Sequence, residues 1–114
     1  MTLLNKALLT SALFIAFNSS AMAECKNASA PIVPDGNVAS QDELIAAQKA
    51  LKAFQANLVE YRECLEGQKV AEPGEDEAAL QKNAALDAAY DASVDAESAA
   101  AEEFNAAVRA FKAR

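Results

Sequence analysis

The chain contains two cysteines, Cys25 and Cys64, whose thiols are its most reactive side chains. Such a pair forms either a redox-active site or a structural disulfide. Redox-active pairs normally have a Cys-x-x-Cys spacing, but these two cysteines lie 39 positions apart. In a small protein of an oxidising compartment, that spacing favours a bridge that stabilises the fold. We therefore predict a structural disulfide between Cys25 and Cys64.

Three aspartates, Asp87, Asp91 and Asp95, follow one another at intervals of four residues. On a helix they form a stripe along one face, here called the acidic stripe. Calcium and magnesium take oxygen ligands, so the stripe is a weak candidate for binding a divalent cation or a small ligand. Carboxylates one turn apart rarely complete a coordination shell, and we favour a solvated acidic face without a metal site.

The composition argues against catalysis and nucleic-acid binding. The chain has no histidine, which removes the commonest general base and the commonest transition-metal ligand. It also lacks a recognisable nucleophile–base pair and a glycine-rich phosphate loop. Its 17 acidic and 10 basic residues give a formal net charge of −7, which repels phosphate backbones. We expect no enzymatic activity, no cofactor and no nucleic-acid partner.

Residues 1–23 have the pattern of a bacterial export signal. A single cation, Lys6, precedes the apolar run 7–17, and Ala21-Met22-Ala23 is the small-x-small motif that signal peptidase requires. The run is much shorter than the roughly 20 residues of a membrane-spanning helix. We therefore predict cleavage after Ala23, a periplasmic or secreted protein, and no integral membrane segment once the leader is removed.

An arm and two helices are predicted after the leader. Pro31 and Pro34 favour an extended arm over residues 24–40. The first helix, about 41–66, has apolar residues at alternating spacings of three and four, namely Leu44, Ala47, Leu51, Phe54, Leu58, Tyr61 and Leu65. Pro73-Gly74 interrupts the helical pattern. The second helix, about 75–112, has a poorer seam that is interrupted by an acid and consists of Tyr90, Val94, Glu97, Ala101, Phe104, Val108 and Phe111. Before Tyr90, a shift to Ala79 and Leu86 restores the apolar pattern, which predicts a local change of winding between Leu86 and Tyr90.

The predicted fold class is all-α. A short connector makes consecutive helices neighbours, so residues 41–114 are predicted to form an antiparallel, coiled-coil-like helical hairpin. The extended arm is long enough to run back along the first helix to Cys64. The disulfide would then pin it there, with Ile32 and Val33 covering part of the groove between the helices.

The second helix is predicted to be longer than the first by about 12 residues. With the hairpin in register at its turn, the helix beyond about residue 101 has no partner within the chain. The C-terminal stripe, formed by Phe104, Val108 and Phe111 with Arg109 beside them, would then be exposed. Exposed apolar stripes usually mark interfaces, so we predict self-association or a protein partner at this stripe. The alternatives are a frayed helix end or a stripe that the returning arm covers.

The arm and the end of the first helix also carry a recognisable pattern. Its elements are Cys25, Pro31-Ile32-Val33-Pro34-Asp35-Gly36, Ala39-Ser40, Glu43 and Tyr61-Arg62-Glu63-Cys64-Leu65. The pattern resembles that of small exported, alanine-rich helical proteins of proteobacteria that have paired cysteines and no assigned function. The resemblance covers roughly residues 25–65, implies the cysteine pairing and transfers no activity.

These patterns together favour a non-enzymatic structural or protein-interaction module of the periplasm. The alternative function is weak binding of divalent cations or small ligands through the acidic stripe.

Overall fold

The computed structural model describes residues 25–114, and the predicted signal peptide, residues 1–23, lies outside this range. The described chain is all-helical, as predicted. Helix α1 spans Gln41–Gly67, helix α2 spans Glu77–Lys112, and the two helices pack against each other. No strand occurs within residues 25–114.

Helix α1 begins directly after the predicted capping residue. The Ser40 hydroxyl accepts a hydrogen bond from the Glu43 backbone amide at 3.1 Å, which satisfies one of the free amides of the first turn. The predicted seam of α1 is confirmed, because all seven of its residues are buried. Burying a leucine such as Leu58 or Leu65 completely contributes about 1.5–3 kcal/mol, so this seam is a main source of stability.

Helix α2 begins slightly later than the sequence predicts. The connector turns at Pro73-Gly74, where Gly74 has a φ of 55°, a left-handed value that glycine adopts at little cost. Asp76 then caps the helix, and its carboxylate accepts a hydrogen bond from the Ala78 amide at 3.1 Å. The helix therefore starts where its first free amides find an acceptor.

The buried face of α2 includes Ala79 and Leu86, as predicted, but differs from the predicted seam after Tyr90. Its buried residues repeat every seven positions and are Ala79, Leu86, Ser93, Ala100 and Ala107. The predicted seam residues Val94 and Val108 each lie one position further along the chain, where Val94 is 39% exposed and Val108 is half-buried. Four of these five residues are small, which lets two helix backbones approach closely, and the fifth, Leu86, is fully buried in the main core.

The extra length of α2 lies beside the connector rather than at the C-terminus. Asn83, near the start of α2, exchanges two hydrogen bonds of 2.9 Å with the backbone of Val70 in the connector. Near the other end of α2, Ala107 forms a small cluster with Ala39 and Leu44, at the start of α1. The prediction that the helix beyond about residue 101 has no partner is therefore wrong. That prediction assumed that the first residues of α2 pair with the last residues of α1, whereas the first turns of α2 lie beside the connector.

The arm is covalently attached to the end of α1, since the predicted disulfide joins Cys25 to Cys64. Val33 packs against the small cluster near the C-terminus, but Ile32 is 95% exposed. The predicted covering of the groove is thus correct for Val33 and wrong for Ile32. Neighbouring side chains of an extended segment point to opposite sides, so the two residues do not both face the helices.

The arm also approaches α2 closely at Gly36. A Cβ atom added to Gly36 would lie 1.9 Å from the backbone oxygen of Ala107, so a larger residue fits only if one backbone moves. The Arg114 guanidinium donates hydrogen bonds to the carbonyl oxygens of Gly36 and Ala39. The arm is therefore held by the disulfide at one end and by the last turns of α2 at the other.

Candidate functional site

The arm covers one flank of the helix pair and leaves the other flank accessible. On the covered flank, Cys25 and Ala28 pack against the main core. The other flank has a groove of about 390 Å³, here called the open groove, which is lined by Val59, Arg62, Glu63, Glu66 and Tyr90. These residues come from both helices, so the open groove exists only when α1 and α2 are packed together.

Arg62 connects the two helices at the open groove. Its Nε donates a hydrogen bond to the Ser93 hydroxyl at 2.8 Å, and its terminal nitrogen donates to the Ser93 backbone oxygen and to Glu97, both at 3.1 Å. The guanidinium also lies over the Tyr90 ring, 5.8 Å from its centre. The side chains of Arg62 and Glu97 are 15% and 28% exposed. Charge-assisted bonds of this kind are stronger than bonds between neutral groups, so Arg62 is held in one position.

Ser93 is a buried polar residue within the contact between the helices, with 3% of its surface exposed. Its hydroxyl accepts from Arg62 and donates to the Tyr90 backbone oxygen at 2.6 Å, so both its donor and its acceptor have partners. Glu97, the acid in the predicted seam, is an ion-pair partner of Arg62. A polar contact inside an apolar seam favours one register of the two helices.

Apolar and acidic side chains meet at the open groove. Val59 is 50% exposed, and Val94, one turn from Tyr90 on α2, is 39% exposed. Glu63 and Glu66 are exposed beside them. Among the described residues, Glu63 takes part in no ion pair, whereas Glu66 lies 3.5 Å from the Lys69 ammonium.

Negative charge is concentrated around the connector. Residues 60–95, here called the acidic end, carry ten acidic and three basic side chains, whereas the rest of the described chain carries six of each. Contacts between Lys69 and Asp87 and between Arg62 and Ser93 bring the two halves of this segment together in space. Four of the five residues that line the open groove belong to the acidic end, and the surroundings of the groove therefore have a negative potential.

Gln68 supports the disulfide. Its side-chain nitrogen donates to the sulfur of Cys25 at 3.1 Å and to that of Cys64 at 3.7 Å. Its side-chain oxygen is buried without a hydrogen-bond partner within residues 25–114. Cys25 is buried and Cys64 is half-buried, and this shielding is typical of a structural bridge.

The acidic stripe is exposed on the outer face of α2. Asp87 accepts a hydrogen bond from Lys69, and this bond is the main reason why the pKa of Lys69 is raised above its ordinary value. No group of three or more histidine, cysteine, aspartate or glutamate side chains in the described part of the chain could hold a metal ion. The cation-binding alternative stays a prediction.

The C-terminal stripe is packed within the chain to a greater extent than predicted. Phe104 contacts the main core, Phe111 contacts the small cluster near the C-terminus, and Val108 is half-buried. Arg109 is exposed. An interface at these four residues stays a prediction, although the unpaired helix end from which it was inferred does not exist.

Sequence reasoning did not assign Arg62, Ser93 or Val59 to a site. One signal was present, because an acid at Glu97 within the predicted apolar seam indicates either that the seam is exposed there or that a lysine or arginine pairs with the acid. The sequence alone does not show which of several arginines and lysines forms that pair. Val59 gives no signal of its own, since single exposed valines are common on protein surfaces.

Comparisons with known proteins identify no relative. No family model, no curated protein and no solved structure matches the chain. Among the residues described, neither helix combines the length and apolar character that crossing a membrane requires.

Proposed function

We propose that this protein is a non-enzymatic, exported module that works by binding another protein with a rigid helical surface. The observation that carries this proposal is the disulfide-anchored arm, which covers one flank of the helix pair and leaves the flank with the open groove accessible. A covered and cross-linked flank stabilises a small domain. An accessible flank with exposed apolar side chains offers a surface for a partner.

The fold that presents this surface is, in our proposal, an antiparallel, coiled-coil-like hairpin. Three contacts support this arrangement, because residues later in α2 meet residues earlier in the chain. Val70 pairs with Asn83, Arg62 with Ser93, and Leu44 with Ala107. The seven-residue repeat on the buried face of α2 is also typical of coiled-coil packing.

We further propose that the protein is exported to the bacterial periplasm or secreted. The leader pattern in residues 1–23 supports export, and a structural disulfide is compatible with an oxidising compartment. Mass spectrometry of the protein from a periplasmic fraction tests both points. We expect a chain that begins at Glu24 and contains no free thiol, whereas a full-length, reduced chain would contradict the proposal.

Site-specific photo-crosslinking tests the interaction role. A photoreactive side chain at Val59 probes the open groove, one at Val108 probes the C-terminal stripe, and one at the exposed residue Ala99 serves as the control. We expect a discrete cross-linked product from at least one of the first two positions and none from Ala99. The absence of a discrete product at both Val59 and Val108 would contradict the interaction role.

A further inference from the structure

The open groove combines an apolar floor with an acidic rim. Val59 and the Tyr90 ring supply the apolar surface, and Glu63 and Glu66 lie next to them on α1. An apolar patch beside charged groups selects a partner by shape and by charge, because the charged groups steer the approach and the apolar contacts hold the complex.

The charges of the groove do not cancel. The positive charge of Arg62 is engaged by Glu97 within the chain, so it does not neutralise Glu63. The acidic end around the groove has seven more acidic than basic side chains, and the remainder of the described chain has equal numbers of both. The potential that an approaching molecule meets at this groove is therefore negative.

We propose that the open groove binds a cationic amphipathic segment of a partner protein. An apolar side chain of that segment packs on Val59 and Tyr90, while a flanking lysine or arginine side chain approaches Glu63, because Glu66 is already paired with Lys69. This inference rests on the proposed interaction function and specifies the chemistry of its partner. A second copy of this chain is a poor occupant, since two acidic ends would repel each other.

Fluorescence anisotropy with a defined probe tests the inference. The probe is a labelled amphipathic peptide of lysine and leucine, and two control peptides replace all lysines by glutamine or all leucines by glycine. We expect the lysine–leucine peptide to bind the oxidised protein, with an affinity that falls as salt screens the charges. Both control peptides should bind at least about tenfold more weakly, because each loses one of the two contributions.

Matched variants locate the binding site. Val59→Asn should weaken binding about fivefold and Glu63→Gln about threefold, as expected for an apolar anchor and an exposed charge. The controls are Ile45→Asn, at another exposed apolar residue of α1, and Glu102→Gln, which removes the same charge outside the acidic end. Both controls should bind as the unmodified protein does.

Three outcomes would overturn the inference. The first is that the groove variants and the control variants change the affinity equally. The second is that the peptide without leucine binds as tightly as the lysine–leucine peptide. The third is that light scattering shows a dimer of the unmodified protein and a monomer of Val59→Asn. If the peptide fails to bind but Val108 still gives a discrete photo-crosslinked product, this groove is wrong and the interaction role stands. If neither assay detects a partner, the proposed function itself is contradicted.

Discussion

Gly36 is a residue at which the fold requires the absence of a side chain. Its Cα lies against the backbone of Ala107, and a Cβ there would collide with the Ala107 oxygen. We predict that Gly36→Ala lowers the free energy of unfolding by about 2 kcal/mol, because overpacking forces the arm away from α2. Thermal denaturation should show a melting temperature lower by roughly 8–16 °C.

Gly67 provides the matched control for this prediction. It lies at the end of α1, and a Cβ added there meets no atom within 4 Å. Gly67→Ala should leave the melting temperature unchanged or raise it slightly, because alanine is favoured over glycine in a helix. Equal melting temperatures for the two variants would show that the contact between Gly36 and Ala107 does not exist in solution.

Asp35 organises the turn that contains Gly36. One of its carboxylate oxygens accepts hydrogen bonds of 2.9 Å from the backbone amide and from the side-chain amide of Asn37. These bonds, the backbone bond first, lower the pKa of Asp35 below its ordinary value. The ionised form is thus favoured in the folded state, and its stabilising effect is present above the ordinary pKa and is lost as the pH falls through the lowered one.

We predict that Asn37→Ala raises the pKa of Asp35 only in part. The variant removes the side-chain donor, but the backbone amide of residue 37 remains, and that amide makes the larger contribution. Carboxyl chemical shifts of Asp35, followed by NMR across an acid titration, measure the change. A return of the pKa to the ordinary value of 3.8 would show that the backbone hydrogen bond contributes nothing.

The two helices differ in how well their buried faces could be predicted from the sequence. In α1, leucine and aromatic residues alternate with charged ones, and this contrast makes the period unambiguous. In α2, alanine occupies many positions on every face, so burial at Ala100 or Ala107 leaves no mark in the pattern. Which alanines of α2 are buried depends on the distance between the axes of α1 and α2. The sequence of one helix does not determine that distance.

Because the two helices approach closely, we predict that α2 tolerates larger side chains on its exposed face but not on its buried face. Ala100 is 3% exposed within the main core, whereas Ala99 is exposed. Ala100→Leu should destabilise the fold by about 1–3 kcal/mol, because added methylenes force the helices apart. Ala99→Leu should change stability by less than about 0.5 kcal/mol.

Urea denaturation of both leucine variants checks this prediction, with the midpoint as the measure of stability. If Ala100→Leu were as stable as Ala99→Leu, the helices would have room between them that the structure does not show.

The close approach of the helices also restricts position 93 to a small side chain. The hydrogen bond from Arg62 to the Ser93 hydroxyl explains why this small residue is polar.

For the molecule as a whole, the disulfide is the covalent link between the arm and α1, and its two cysteines lie 39 positions apart. Loop-closure entropy gives about 4 kcal/mol for such a bridge, on a chain-entropy account that is model-dependent. We predict that Cys25→Ser combined with Cys64→Ser lowers the melting temperature by roughly 15–30 °C. Reduction of the unmodified protein with dithiothreitol should have the same effect.

The melting temperatures of the reduced and the oxidised protein show whether the attached arm stabilises the fold. If both forms melted at the same temperature, the bridge would add nothing to the fold, and the arm would not be needed to hold α1 and α2 together. A circular dichroism spectrum of the reduced protein at low temperature gives the remaining helix content, which shows whether the helices persist when the arm is released.

The covalent loop closed by this bridge has a further consequence, because it contains the arm and most of α1 but no part of α2. In a chain that crosses a membrane from its N-terminus, Cys25 and Cys64 both emerge before residues 77–112 do. Oxidation is therefore able to close a covalent loop that consists of the arm and most of α1, while the apolar seam of α1 still faces water. On the proposed export route, this partly folded species exposes more apolar surface than the complete fold does, and exposed apolar surface favours aggregation.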